Sequence, residues 1–156
     1  MDKSLNIIGG GMAGCEAAWQ AANMGIEVTL YEMRPKVKTF AHQTGKLGEM
    51  VCSNSFRSND HEQNAVGLLH WEMMRANGLI IKAAYQNKLP AGGALAVDRE
   101  EFADTITSKI NDHSNIRISN EEITTIPTEG QWIIATGPLT SSKLANSIAE
   151  LSGTDA

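Results

Sequence analysis

The segment "NIIGGGMAGCEAAWQAANMGIEVTLYE", residues 6–32, decides the fold of this chain. It begins with a short apolar run, turns at a cluster of glycines and continues with helix-forming residues that end at Gly25. Residues 26–32 then alternate apolar and polar side chains, as a strand does. A strand, a helix and a second strand in about thirty residues make a βαβ unit. The sequence therefore predicts an α/β domain of the Rossmann type.

The glycines of this turn have the spacing of a dinucleotide-binding loop. Gly9, Gly11 and Gly14 form GxGxxG directly after the first strand. The first glycine permits the tight turn, the second lets the backbone approach a pyrophosphate, and the third lets helix and strand pack closely. The N-terminus of the helix adds free N–H groups and positive potential. The predicted cofactor contacts in this turn are Gly9, Gly10, Gly11, Met12, Ala13 and Gly14.

Two further positions at strand ends fit the same kind of cofactor. Glu32 follows the glycines by about twenty residues, where an acid accepts hydrogen bonds from the adenosine ribose. The stretch "WIIATGP", residues 132–138, is predicted to be a buried strand that ends at Gly137. NAD and FAD share the first motif, and a strand ending in Ala-Thr-Gly favours FAD. The alternative for Gly137 is an ordinary glycine at a turn.

The rest of the chain is predicted to form one domain without linkers or repeats. Residues 33–60 have no convincing period, and so long a loop-rich excursion in a compact domain suggests function. Helices are expected over 62–77, 99–110 and 141–153. The first has Val66, Leu69, Met73 and Met74 on its apolar face, and Asp98 caps the second. Short strands are expected near 94–97, 115–119 and 121–126, and the last two are a candidate hairpin.

Composition excludes several classes of protein. A formal net charge of −5 on 156 residues argues against a surface coated in positive charge, so nucleic-acid binding would need a local basic patch. Residues 33–48 hold Arg34, Lys36, Lys38 and Lys46 without an acid, and form either such a patch or a solvated loop. The N-terminal apolar run is too short for a signal peptide or a membrane span. Four scattered histidines argue against a metal site.

The two cysteines stand in different surroundings. With no CxxC pair they indicate a reducing, cytoplasmic location and no disulfide. Cys15 lies in the first turn of the helix, where the dipole lowers a thiol pKa, but a small packing residue is the favoured interpretation. Cys52 lies in "EMVCSNSFRSN", residues 49–59, among hydrogen-bonding side chains and near Arg57, which is a candidate partner for a thiolate. Cys52 is therefore the candidate catalytic residue.

Several longer motifs resemble one family. "NIIGGGMAGCEAAWQAANMGIEVTLYEMRP", "VCSNSFRSN", "NAVGLLHWEMM", "LPAGGALAVDREEFA" and "IIATGPLTS" closely resemble the N-terminal part of TrmFO, the folate- and FAD-dependent tRNA (uracil-5-)-methyltransferases related to GidA-type flavoproteins. The resemblance covers essentially the whole chain. It implies that residues 1–156 are the N-terminal part of the FAD-binding domain of a two-dinucleotide-binding-type flavoprotein, expected to be incomplete by itself, because the family's members are considerably longer.

The resemblance also implies a reaction. It implies formation of 5-methyluridine in the T-loop of tRNA, with 5,10-methylenetetrahydrofolate as carbon donor, reduced FAD as reductant and NADH or NADPH to regenerate the flavin. Cys52 occupies the position of the family's cysteine in "VCSNS", and a second family cysteine would lie beyond residue 156. Partners are then tRNA and folate, and no membrane. The alternatives are another flavin-dependent oxidoreductase or a non-catalytic FAD-binding fragment of a truncated gene.

Overall fold

The predicted βαβ unit lies at the centre of the computed structural model, which describes residues 4–153. The elements are, in chain order, β1 (Ser4–Ile8), α1 (Met12–Asn23), β2 (Glu27–Tyr31), β3 (Ser55–Ser58), α2 (Ala65–Arg75), α3 (Leu79–Gln86), β4 (Lys88–Leu89), β5 (Ala94–Val97), α4 (Arg99–Asn111), β6 (Ile116–Ser119), β7 (Trp132–Ile134) and α5 (Ser142–Ser152). A 3₁₀ turn over Gly137–Leu139 joins β7 to α5. The α/β fold predicted from the sequence is confirmed.

The larger sheet is parallel, and its strand order creates a crevice. The order is β6-β2-β1-β7, with Ile7 of β1 opposite Leu30 of β2 and Ile133 of β7. The chain builds from β1 outward to β2 and β6, and then returns to place β7 on the other side of β1. Ligands of open α/β sheets bind beyond the carboxyl ends of the strands where the order reverses. The end of β1, which carries the glycine turn, is that point here.

Helices α1, α3 and α4 contact one another and form most of the core with the sheet. Helix α4 buries Phe102, Ile106 and Ile110 at the helical spacing read from the sequence. Its cap is also as predicted, because the Asp98 carboxylate accepts hydrogen bonds from the N–H groups of Glu100 and Glu101 at 2.9 and 3.1 Å. Small residues on α1 allow that helix to lie close to the sheet, and the buried ones are Gly14, Cys15, Ala18, Ala21 and Ala22.

A second, antiparallel sheet takes one strand from residues 33–60, the segment that the sequence predicts to be a loop-rich excursion. Strand β3 lies inside that segment and pairs with β5, which in turn pairs with β4. The pairing of β3 is irregular, with Ser55 opposite Ala96 and Ser58 opposite Ala94. Strand β3 has only four residues and an irregular register, so its alternation of apolar and polar side chains is too short to predict a strand from the sequence. Helix α3 also has no counterpart in the sequence prediction.

The predicted apolar face of α2 is wrong in part. Leu69 is 52% exposed, whereas His70 is 5% exposed and Gly67 is buried. The reason is a close approach of the chain before the helix, because a Cβ atom on Gly67 would lie 2.0 Å from the carbonyl oxygen of Asp60. That approach turns the Gly67 side of the helix inward. The side that the spacing marked as apolar is thereby left partly in solvent.

Two strand predictions near the C-terminal end are also corrected. Residues 121–126 form no strand, so β6 has no hairpin partner there. The Asn120 side chain instead donates to the carbonyl oxygens of Glu32 and Arg34 at 3.4 and 2.7 Å, which draws the chain toward the end of β2. Strand β7 is present but not buried. It pairs only with β1 among the described strands, and Ile133 and Ile134 are each 38% exposed.

No helix within residues 4–153 combines the length and the apolar character that crossing a bilayer requires.

Candidate functional site

A cavity of about 360 Å³ opens at the carboxyl edge of the parallel sheet. Three strand ends form it: the glycine turn after β1, the residues that end β2, and the segment after β7. Val51, the residue before Cys52, lines the same cavity. The predicted cofactor residues that line it are Gly9, Gly10, Gly11, Met12, Ala13, Glu32 and Gly137, whereas Gly14 does not.

The glycines of the turn differ in what surrounds them. Gly9 has φ +110°, and a Cβ atom there would lie 2.6 Å from the carbonyl oxygen of Ala135. A Cβ atom on Gly14 would lie 1.8 Å from the carbonyl oxygen of Gly9, so this glycine allows helix and strand to touch. No atom lies within 4 Å of a Cβ built on Gly11. The turn is therefore closed toward the protein and open toward the cavity.

The N-terminus of α1 is available to an anion. Gly11 is the N-cap residue and supplies no side-chain cap, and the first turn of the helix contains no acid. The first N–H groups of a helix have no partners within the helix, and the macrodipole places positive potential there. Met12 and Ala13 of this first turn line the cavity. Pyrophosphate binding at this position stays a prediction.

Glu32 is buried and already fully bonded. Its Oε2 accepts from the N–H of Gly10 at 2.9 Å and from Nη2 of Arg34 at 3.0 Å, and its Oε1 accepts from the backbone N–H and Nε of Arg34, both at 2.9 Å. Burial raises the pKa of Glu32, but the bonds and charge of Arg34 outweigh it, so the pKa lies below its ordinary value. A carboxylate offers about four acceptor positions. A ribose contact to Glu32 therefore requires one of these bonds to be exchanged.

Two of the four cations in residues 33–48 are neutralised by acids elsewhere in the chain, and a basic patch in this segment stays a prediction. Arg34 is 3% exposed and pairs with Glu32 and with Glu49. Lys46 pairs with acids of α4, Glu100 at 3.3 Å and Asp104 at 2.8 Å. The acids come from outside the segment, so local composition does not reveal them. The two remaining cations, Lys36 and Lys38, are exposed.

Cys52 lies in the open setting that the sequence predicts, because it is exposed and its thiol is free. Its polar neighbours hold the local chain. The N–H of Ser55 donates to Oγ of Ser53 at 3.2 Å, and the Asn54 side chain donates to the carbonyl oxygen of Val97 at 3.3 Å. Within the described part of the chain, no hydrogen bond or ion pair joins Arg57 to the cysteine, so Arg57 as a thiolate partner stays a prediction.

Cys15 is a packing residue, the interpretation favoured from the sequence. It is fully buried, and its Sγ donates to the carbonyl oxygen of Gly10 at 3.3 Å. Burial is the main reason that the pKa of the thiol rises to about 12. The helix dipole therefore does not make this thiol reactive.

The two thiols are expected to react at very different rates. At about pH 8 iodoacetamide should alkylate Cys52 and leave Cys15 unmodified, because a thiolate is the reacting species and Cys15 is buried. Both should react after unfolding in urea. Mass spectrometry of peptides from a timed reaction measures each rate, and Cys52→Ser should remove the fast one. Equal rates in the folded protein would contradict the burial of Cys15.

His42 and His61 make local side-chain contacts. The Thr39 hydroxyl and Nδ1 of His42 are 2.7 Å apart, and His61 stacks on Trp71. No group of three His, Cys, Asp or Glu side chains in residues 4–153 is arranged to hold a metal ion.

Arg34 is the residue that sequence reasoning missed. The local composition places it among the cations of a loop, whereas the structure places it against Glu32, the acid that ends β2. The available signal was its position in "YEMRP", two residues after that acid. Its second partner, Glu49, lies fifteen residues further along a segment without a period, and no local pattern connects the two.

Comparisons with known proteins agree with this architecture. The model of the family described as Glucose inhibited division protein A (GidA) matches residues 4–153. Two curated relatives are named methylenetetrahydrofolate-tRNA-(uracil-5-)-methyltransferase TrmFO. The one from Dinoroseobacter shibae is 65% identical over 98% of this chain and 34% of its own length, and the one from Jannaschia sp. is 66% identical over 97% and 33%. These matches confirm the resemblance to TrmFO.

The chain spans about a third of the length of these relatives. Among solved structures, GidA from Aquifex aeolicus superimposes with a TM-score of 0.63 at 21% identity, over 81% of this chain and 21% of that protein. At that identity the likeness supports the Rossmann-type fold. With the family model matched from Ser4 to Gly153, this chain belongs to the GidA family.

Proposed function

We propose that this chain is the dinucleotide-binding and thiol-bearing part of an enzyme that methylates C5 of uridine in the T-loop of tRNA, giving 5-methyluridine. Methylenetetrahydrofolate supplies the carbon, and NADH or NADPH supplies electrons to the bound FAD. When bound, the flavin supplies the reducing equivalents that convert the transferred carbon to a methyl group. One observation carries the proposal: an exposed cysteine follows directly on a residue that lines the cavity of a GxGxxG turn.

The turn fits a dinucleotide. Gly9 and Gly10 line the cavity with backbone atoms, and the space beside Gly11 is free of protein atoms. The uncapped N-terminus of α1 offers N–H groups and positive potential for the pyrophosphate. Gly137, on the opposite side of the cavity, has φ +60° and no side chain, and no atom lies within 4 Å of the position that a Cβ would take. It therefore leaves room for a ligand there. We assign the binding of FAD to these residues and to Met12, Ala13 and, by way of the turn, Gly14 and Glu32.

Cys52 is proposed as the group that activates the base. C5 of uracil is a weak nucleophile until a group adds at C6, and a thiolate is suited to that addition. A base reaches such a thiol only after it leaves its stack, so the sulfur must be accessible from solvent. The exposed position of Cys52 meets that requirement, and the buried position of Cys15 does not. The chain is proposed to act in the cytoplasm, where tRNA is found.

A chimera tests the proposal, because the chain spans about a third of its relatives. Residues 1–156 replace the matching part of the Dinoroseobacter shibae relative, which is 65% identical over this region. The purified chimera should be yellow with bound flavin. It should transfer labelled carbon from methylenetetrahydrofolate to tRNA, at a rate within about tenfold of the parent, which corresponds to a small change in activation free energy.

Two outcomes would contradict the proposal. Flavin-dependent reduction of another substrate by NADH or NADPH, with no carbon transferred to tRNA, would favour another oxidoreductase. A chimera that binds flavin but forms no 5-methyluridine, beside an active parent, would favour a non-catalytic FAD-binding chain. Transfer RNA with the T-loop uridine replaced by cytidine is the substrate control.

A further inference from the structure

A buried guanidinium joins the end of β2 to the segment that leads to Cys52. Nε and Nη2 of Arg34 donate to the two carboxylate oxygens of Glu32 at 2.9 and 3.0 Å, and Nη1 donates to Oε2 of Glu49 at 3.2 Å. The Arg34 side chain is 3% exposed. A planar fork can hold two carboxylates in fixed directions, and an ammonium group cannot reproduce this. Arg34 is therefore a geometric link between two acids.

The second acid, Glu49, organises the segment before Cys52. Its Oε1 accepts from the N–H of Gln43 at 2.8 Å, and its Oε2 accepts from the N–H and the hydroxyl of Thr44 at 3.2 and 2.7 Å. Burial raises the pKa of Glu49, but the hydrogen bonds from Gln43 and Thr44 outweigh it and hold the pKa below its ordinary value. Glu49 thus closes residues 43–49 into a loop while it faces Arg34.

The same segment touches the glycine turn by a second route. The N–H of Gly48 donates to the carbonyl oxygen of Gly10 at 2.9 Å, and the N–H of Gly10 donates to Glu32. A Cβ atom on Gly10 would lie 2.6 Å from Cδ2 of Leu47, so the two segments are in close contact. Residues 47–49 are therefore fixed to the turn by a backbone hydrogen bond, by the packing of Leu47 on Gly10 and by the Glu32–Arg34–Glu49 ion-pair bridge. Cys52 follows three residues later.

We infer that Arg34 and Glu49 are positioning residues that fix Cys52 relative to the cofactor cavity, an inference that rests on the proposed function. At one end of the bridge, Glu32 accepts a hydrogen bond from Gly10, which lines the cavity. At the other end, Glu49 lies three residues before Cys52. Occupation of the cavity and reactivity of the thiol are therefore coupled through it. Neither residue reacts with the base, and each acts through the placement of Cys52.

Glu49→Gln in the chimera is the first test. The amide keeps the size of the side chain but removes the charge that faces Arg34 and places an N–H donor among N–H donors. We expect flavin content to stay at the parental value and kcat for carbon transfer to fall about 10²-fold, with KM for the folate little changed. Lys46→Gln is the matched control, because Lys46 joins the same segment to α4 through exposed ion pairs and should change transfer by less than about threefold.

The coupling has a readout that does not need methyl transfer. In the parent chimera, FAD is expected to change the rate at which iodoacetamide alkylates Cys52, and in Glu49→Gln the rate should be the same with and without FAD. Arg34→Lys should behave like Glu49→Gln, since one ammonium cannot bridge both acids. A chimera that lacks transfer but shows the coupling would defeat the proposed function and leave this inference standing.

Three results would overturn the inference. Parental transfer in Glu49→Gln would show that the bridge does not position the thiol. Alkylation of Cys52 that responds to FAD equally in the parent and in both variants would do the same. Loss of flavin and of helical circular dichroism in both Glu49→Gln and Arg34→Lys would assign the bridge to folding instead.

Discussion

Replacement of Gly14 by alanine is expected to destabilise the βαβ unit by about 3 kcal/mol and to abolish flavin binding. The added Cβ atom would lie 1.8 Å from the carbonyl oxygen of Gly9, and the displaced atom is backbone rather than a mobile side chain. Helix α1 must then move away from β1, and the turn between them loses its shape. Urea unfolding followed by circular dichroism measures the first effect, and equilibrium dialysis with FAD measures the second.

Gly11→Ala is the matched control for this experiment, since the two glycines lie in the same turn. Gly11 has φ −74°, which alanine adopts freely, and no atom lies within 4 Å of the added Cβ. The free energy of unfolding should therefore stay within about 0.5 kcal/mol of the parent. FAD binding should still weaken, because the methyl group occupies the space where the pyrophosphate is expected. An unchanged unfolding midpoint in Gly14→Ala would refute the close approach of helix and strand.

Cys52→Ser is expected to reduce carbon transfer to tRNA by at least about 10³-fold, because a serine hydroxyl does not add to C6 of uracil as a thiolate does. Flavin content and the unfolding midpoint should stay unchanged, since the side chain is exposed and its thiol holds no partner in residues 4–153. The assay is single-turnover transfer from labelled methylenetetrahydrofolate in the chimera. A denaturing gel reports the covalent adduct between protein and tRNA.

Cys15→Ala is the matched control for the thiol. Its sulfur packs against the glycine turn, so the variant should lose some stability while it retains the adduct and the transfer activity. Parental transfer by Cys52→Ser would remove Cys52 from the reaction. Loss of the adduct in Cys15→Ala with flavin still bound would point to the buried thiol instead.

The sequence predicts what depends on neighbouring residues along the chain. The βαβ unit, the Asp98 cap and the buried face of α4 are all local patterns with a clear period. The contacts that the sequence does not reveal join distant segments. Strand β3 needs β5 as its partner, and the buried face of α2 depends on how closely Asp60 approaches Gly67. No single stretch of residues carries either relation.

In the candidate site, too, the sequence predicts the local features and does not reveal the contacts between distant segments. The spacing of the glycines predicts the turn and its open side, because each glycine meets a local geometric demand. The bonding of Glu32 could not be predicted in full, since its acceptors are filled by Gly10 and by Arg34 rather than left free for a ligand. Lys46, a cation that looks free in a loop, forms ion pairs because α4 supplies the acids. Ion pairs across tertiary contacts leave no periodic signal.

The exposed strand β7 is the border at which a further strand could be added to the parallel sheet. At the opposite border, β6 carries the exposed and charged Arg117, and charge on a border strand discourages pairing with another chain. Within residues 4–153 no strand pairs with the outer side of β7, and this strand carries the partly exposed apolar residues Ile133 and Ile134 and no charged residue. Any polypeptide that extends this sheet by strand addition is therefore expected to attach beside β7, which would shield both isoleucines from water and widen the wall of the crevice at Gly137.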